Sequence, residues 1–270
     1  MKERVKKMNG KVISKVKFPS PSPQINIWIV TYLSDGLKIK GLLAEPKLEG
    51  TYDGLLYLRG GIKNVGMVRV GRIVQFASEG FVVMAPFYRG NQGGEGNEDF
   101  AGEDRDDAIS AIEVLKNHSK VNKERIHAFG FSRGGVMALL AGIVVEKLCS
   151  IVTWGGVSDM SLTYVEREDL RRMMKRVIGG TPSKYPKRYK WRTPLYELEK
   201  LHAPVLIIHG VQDKNVSVEH AYRLEKRLNE LGKQVESWYF EEYTHYFPPS
   251  INRETLQKLC IWMKKQPIHV

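Results

Sequence analysis

One stretch limits the choice of fold more than any other: Ala128-Phe129-Gly130-Phe131-Ser132-Arg133-Gly134-Gly135. Ahead of it, Arg125-Ile126-His127-Ala128-Phe129 reads as a buried strand. Behind it, Val136 to Ile143 is apolar with the spacing of a helix packed on its neighbours. A strand that turns straight into a helix must tighten its backbone. Glycine is required at 130 and 134 because a Cβ at either would collide with the turn. The turn lifts the Ser132 hydroxyl beyond the strand end and aims the amides that follow, Arg133 first, at any oxyanion formed there.

Two further residue types follow in a telling order. Pro204 to Gly210 is a continuous apolar run, and Gly210-Val211-Gln212-Asp213 ends it, so Asp213 falls in the loop at a strand's carboxyl edge. Three histidines come after it. His220 lies in a helical pattern starting at Val218, and His269 is one residue from the chain end. His245 occupies the loop Tyr243-Thr244-His245-Tyr246-Phe247, just past the run 235–240, and is the base by elimination. Serine, acid and histidine in that order, each just past a strand, fit nucleophilic acyl chemistry.

Along the chain, residues 1–24 are basic and then rich in Pro and Ser, and read as an extended arm ahead of a catalytic domain over 25–270. Alternation over 25–31 and 37–43 around Ser34-Asp35-Gly36 predicts an antiparallel hairpin. Strands follow near 54–58, 81–86, 150–154, 204–208 and 235–240, with helices near 104–116 and after the last two strands. Such alternation indicates an α/β fold: a mostly parallel central sheet with helices on both faces. Residues 158–200 break the rhythm with a basic helix over 166–177 and loops at Pro182, Pro186 and Pro194, and form a small cap insert.

The net charge of +12 is concentrated. Residues 1–17 carry seven Lys/Arg against one Glu, and residues 164–192 carry ten against three Asp/Glu, so the rest is near neutral. Tyr164, Tyr185, Tyr189 and Trp191 lie in the second segment, but charge runs mark solvated faces, and nucleic-acid binding is not expected. The expectation is instead attraction of an anionic substrate or partner. Glycines over 90–96 form a mobile site loop, since they lack phosphate-loop spacing. No metal motif and no cofactor motif occurs. Asp99, Asp104, Asp106 and Asp107 read as acids at a helix N-terminus. Cys149 and Cys260 sit in apolar surroundings as reduced thiols. With no apolar leader and no apolar run of membrane-spanning length, the expectation is a cytoplasmic protein without membrane contact.

The segments Phe87-Tyr88-Arg89-Gly90-Asn91-Gln92-Gly93-Gly94-Glu95-Gly96, Gly130 to Gly135, and Ala203 to Asp213 resemble, in that order, the catalytic domain of the prolyl oligopeptidase family, with an α/β-hydrolase fold. The resemblance covers about 53–265 and implies Ser132, Asp213 and His245 as the triad. It also implies Gly61, within Leu58-Arg59-Gly60-Gly61, as the oxyanion donor beside Arg133; arginine stands at 59 where the family often has histidine or tyrosine. Family peptidases usually carry a β-propeller ahead of this domain, and only about 50 residues precede the first core strand here. The reading is a serine hydrolase of carboxylic esters or small acyl amides, with a cap-shaped pocket of a few hundred cubic ångströms. The alternatives are a serine peptidase of the same family, taking short peptides, and a non-catalytic binding protein on a hydrolase scaffold.

Overall fold

A computed structural model describes residues 8–267. Nine strands form one sheet, β1 (Val12–Phe18), β2 (Ile25–Ser34), β3 (Leu37–Pro46), β4 (Tyr52–Leu58), β5 (Phe81–Pro86), β6 (Val121–Phe131), β7 (Ser150–Trp154), β8 (Val205–Gly210) and β9 (Val235–Phe240). Their spatial order is β1-β2-β3-β5-β4-β6-β7-β8-β9. Pairing is antiparallel from β1 to β5 and parallel from β5 to β9. The chain leaves β4 for β5 on one side and passes to β6 on the other, opening a crevice at the strands' carboxyl ends.

The central strands are apolar without interruption because both faces are covered. Along β4, Leu56 and Leu58 enter one core while Leu55 and Tyr57 enter the other; along β8, Val205 and Ile207 oppose Leu206 and Ile208. That is the period-two geometry of a strand serving two cores. The first core is closed by α2 (Arg105–Lys116), α3 (Arg133–Val144) and α7 (Glu219–Glu230), the second by α1 (Val70–Ser78) and α8 (Pro249–Lys265). The expected α/β-hydrolase architecture is therefore present, hairpin included.

Four details differ from the sequence reading. Residues 12–18 of the expected arm form β1, paired with β2 through its backbone. Its side chains are almost all exposed, so burial left no alternation to read, and Lys15 and Lys17 lie 4.4 and 4.3 Å from the Trp28 ring. Helix α1, whose apolar face is Ile73, Val74, Phe76 and Ala77, was not anticipated. The basic helix of 166–177 is divided: α4 (Met160–Glu166) starts at Asp159, which accepts from the Ser161 and Leu162 amides, and α5 (Glu168–Met174) continues into a π-turn over Lys175–Gly179. The break is at Arg167, whose side chain donates to Asp169 and to the Asn215 carbonyl. A short helix, α6 (Pro186–Lys190), starts at one of the prolines assigned to loops.

Candidate active site

Ser132 links β6 to α3 with φ 57° and ψ −125°, a conformation a non-glycine residue holds only where its surroundings enforce it. They do so by close approach. A Cβ on Gly130 would lie 2.1 Å from the Gly134 carbonyl oxygen, and one on Gly134 would lie 2.1 Å from that of Leu58. The strand end of β4 thus presses against the turn, which brings Gly60 beside Ser132, and Gly61 lines the same cavity. Among the described residues, the amides of Gly61 and Arg133 have no protein acceptor.

Asp213 follows β8 and His245 follows β9. Their side chains meet at 2.6 Å, Nδ1 to carboxylate, and both are buried. The other Asp213 oxygen accepts from the Asn215 and Val216 amides at 2.8 and 2.9 Å, so the carboxylate is fixed before it meets the imidazole. With Nδ1–H held by a carboxylate, the lone pair of His245 is on Nε2. The ring packs on Phe131, centroids 4.7 Å apart, next to Ser132 in the chain. Ser132 and His245 line the same cavity of about 620 Å³. Their side chains are not hydrogen-bonded to each other, and such contacts commonly tighten only around substrate.

His220 faces elsewhere: its Nδ1 accepts from the Ser158 and Asp159 amides, and burial lowers its pKa to about 3. His269 lies outside the described residues. His209 donates to the Val216 carbonyl at 2.9 Å, behind Asp213, and stays neutral because burial holds its pKa down.

The Arg133 side chain is buried beside the elbow. It bonds Glu98, and Asp104 at 2.9 Å. Glu98 also takes Arg59 at 3.2 Å, the Asn91 side chain at 2.9 Å and the Lys63 amide at 2.7 Å. Burial alone would raise the Glu98 carboxyl, but Arg133 and Arg59 hold it below its ordinary value. Arg59 also donates to the Gly60 and Phe87 carbonyls, so it stiffens the loop carrying Gly61. Burial pushes Asp104 up to about 7 against the pull of Arg133.

The glycine loop of 90–96 is not at the cavity, contrary to expectation. Gly90 donates to the Glu95 carbonyl, and the Glu95 amide donates to Lys38 of β3; such bonds take the backbone groups a free loop would leave to solvent. The Asp cluster divides likewise. Asp99 accepts from the Glu103 and Asp104 amides at the start of α2, as read, and binds Arg192; Asp107 is buried on Arg89. No metal-binding group of side chains occurs among the described residues.

The cavity walls come from several elements. Thr163, Arg167, Leu170 and Met173 stand on α4, α5 and the turn between them, so segment 158–200 does contribute a wall. Only Arg167 of its eleven basic residues reaches the lining. Arg69, Arg72, Tyr246 and Phe247 line the cavity as well. The two arginines belong to α1 and its preceding residue; the period-3.6 pattern of 70–77 was the signal that could have revealed them. Cys149 and Cys260 are unpaired and buried, and no described helix is long and apolar enough to cross a membrane.

A sequence model of the prolyl oligopeptidase family matches residues 68–267. The protein named "Uncharacterized peptidase YtmA" of Bacillus subtilis (strain 168) is 62% identical over 256 residues, 94% of this chain and 100% of its own length. The chain spans 34% and 36% of two longer curated relatives. Among solved structures, an acylaminoacyl peptidase of Pyrococcus horikoshii superposes with a TM-score of 0.72 at 22% identity, over 93% of this chain and 40% of that one. Acetyl xylan esterase 1 from Thermoanaerobacterium sp. JW/SL YS485 gives 0.72 at 13% identity, over 96% and 91%. These two structures share the fold; the family match over most of the chain and the 62% identity place this chain in the prolyl oligopeptidase family of serine hydrolases.

Proposed function

We propose that this protein is a serine peptidase acting on short peptides, with Ser132 as nucleophile, His245 as general base and Asp213 orienting the imidazole. The observation that carries this is His245, fixed by Asp213, lining the same cavity as the strained Ser132. In this reaction Ser132 Oγ bonds to the scissile carbonyl carbon and its proton passes to His245 Nε2. The oxyanion accepts from the Gly61 and Arg133 amides; one such donor is typically worth about 2.7–4 kcal/mol. The C–N bond breaks, and the amine leaves with the proton from His245. Water then attacks the acyl-enzyme, giving its proton to His245, and Ser132 is released protonated.

The names of relatives favour a peptide substrate over the carboxylic ester or small acyl amide expected from the sequence, since the 62% identical protein is called a peptidase. A cavity of about 620 Å³ suits a few residues rather than a folded chain. The same size favours a second reading, hydrolysis of small carboxylic esters. N-acyl-aminoacyl p-nitroanilides compared with p-nitrophenyl acyl esters of graded length separate the two. The peptidase reading expects turnover of both, with kcat/KM for anilides rising as residues are added; turnover of esters alone would establish the ester reading instead.

A further inference from the structure

The cavity contains two positive charges that the hydrolytic machinery does not use. Arg69 and Arg72 both line it, on α1 and the residue before it. Among the described residues, no carboxylate lies within ion-pairing distance of either. The side chain of Arg72 makes one hydrogen bond, to Gln75 at 3.3 Å, and its guanidinium lies 5.6 Å from the centroid of the buried Trp154 ring. Arg69 lies 5.8 Å from the Tyr246 ring, which is edge-on to His245 at 5.0 Å. One aromatic ring therefore separates Arg69 from the imidazole. The first turn of α1 holds no acid.

This is an unusual balance for the protein, because its other cavity-lining guanidiniums, Arg59, Arg133 and Arg167, are each paired with a carboxylate. Two like charges beside each other in a partly desolvated wall oppose each other. Burial lowers the Arg72 pKa, and Arg69 lowers it further. An anion between them would relieve that repulsion. A guanidinium presents its donors as a planar fork that fits a carboxylate in two parallel bonds.

We infer that Arg69 and Arg72 select substrates bearing a carboxylate, which they hold in the cavity while the scissile carbonyl lies at Ser132. This rests on the peptidase reading and adds to it a substrate class: short acidic peptides, with the charge from a free C-terminus or from an Asp or Glu side chain. Arg72 is half-buried, and Arg69, beside Tyr246, is exposed.

Matched N-acetyl peptides test this in the intact protein. One pair differs only in a free or amidated C-terminus; a second, amidated throughout, differs only in Glu or Gln at one position. The kcat/KM of at least one acidic member should exceed that of its neutral partner about tenfold or more, with the difference in KM. Arg72→Gln and Arg69→Gln should each reduce that ratio at least fivefold, and Arg72→Lys should restore it only partly, because the fork is lost. Calorimetry on Ser132→Ala with the same peptides separates this inference from the catalytic one. Tighter binding of the acidic member, lost in Ser132→Ala/Arg72→Gln, supports the carboxylate site even if hydrolysis is absent. Hydrolysis and binding that are equal for acidic and neutral members of both pairs would overturn it while leaving the peptidase reading standing.

Discussion

The floor beneath Ser132 and the wall in front of it treat charge in opposite ways. Beneath, Arg133, Arg59, Glu98 and Asp104 are almost wholly buried and bonded to one another. In front, His245 offers an unoccupied Nε2, and Arg69 and Arg72 have no carboxylate among the described residues. Buried charges that have found partners fix geometry; charges left without partners at a cavity are available to a ligand. The elbow needs the first kind, because Ser132 is held at a φ it would not choose alone. Substrate selection needs the second.

Changes on the two sides should therefore fail in different ways, and the largest effect lies at the cavity. His245→Ala should lower kcat by about 10⁴–10⁶ with little loss of stability. Asp213→Asn should cost about 10⁴, since the amide favours the wrong tautomer. Steady-state kinetics beside thermal melts measures both. An equal loss from His220→Ala would break the assignment of the base, because His220 is turned toward Ser158 and Asp159.

The next effect belongs to the floor. Glu98→Ala leaves two buried guanidiniums without a shared carboxylate and should cost about 3–5 kcal/mol of stability. Arg72→Gln removes a charge with no carboxylate partner and should change stability by less than about 1 kcal/mol. Denaturant unfolding of both variants compares the regions directly. Similar losses would mean that the wall is as tightly coupled as the floor.

The smallest effect is a slope. The folded-state pKa of His220 is depressed to about 3 from an ordinary 6.5. Between those values the unfolded chain takes up a proton that the folded one refuses. Its contribution is thus full above about pH 6.5 and is lost as pH falls toward 3. In His220→Asn the acid-side decline in unfolding free energy should become shallower; an unchanged slope would show that this ring does not titrate as its burial requires.

Much of this was legible in the residues, and the reason is physical. The elbow announces itself because backbone crowding admits only glycine at 130 and 134, and strands serving two cores are apolar throughout. Asp213 and His245 could be placed because each directly follows such a strand or a clear alternating one. Beyond that, the pattern says less. β1 buries almost nothing, so its pairing leaves no periodic trace. The Glu98 network joins residues up to 39 apart in the chain, and nothing local marks Glu98 as buried. The basic run of 164–192 suggested that the charge meeting a substrate would come from there. Most of its cations face solvent or bond carbonyls and acids nearby, and only Arg167 lines the cavity. Arg72 of α1 and Arg69 just before it reach the cavity without a carboxylate partner among the described residues.

Covalent labelling tests the central claim most directly. The intact protein is treated with a fluorophosphonate, and the modified residue is located by peptide mass spectrometry, with Ser132→Ala and His245→Ala run in parallel. The account predicts one adduct, on Ser132, absent from the folded Ser132→Ala protein and formed far more slowly in His245→Ala. An adduct that persists in Ser132→Ala, or forms at an undiminished rate without His245, would contradict it.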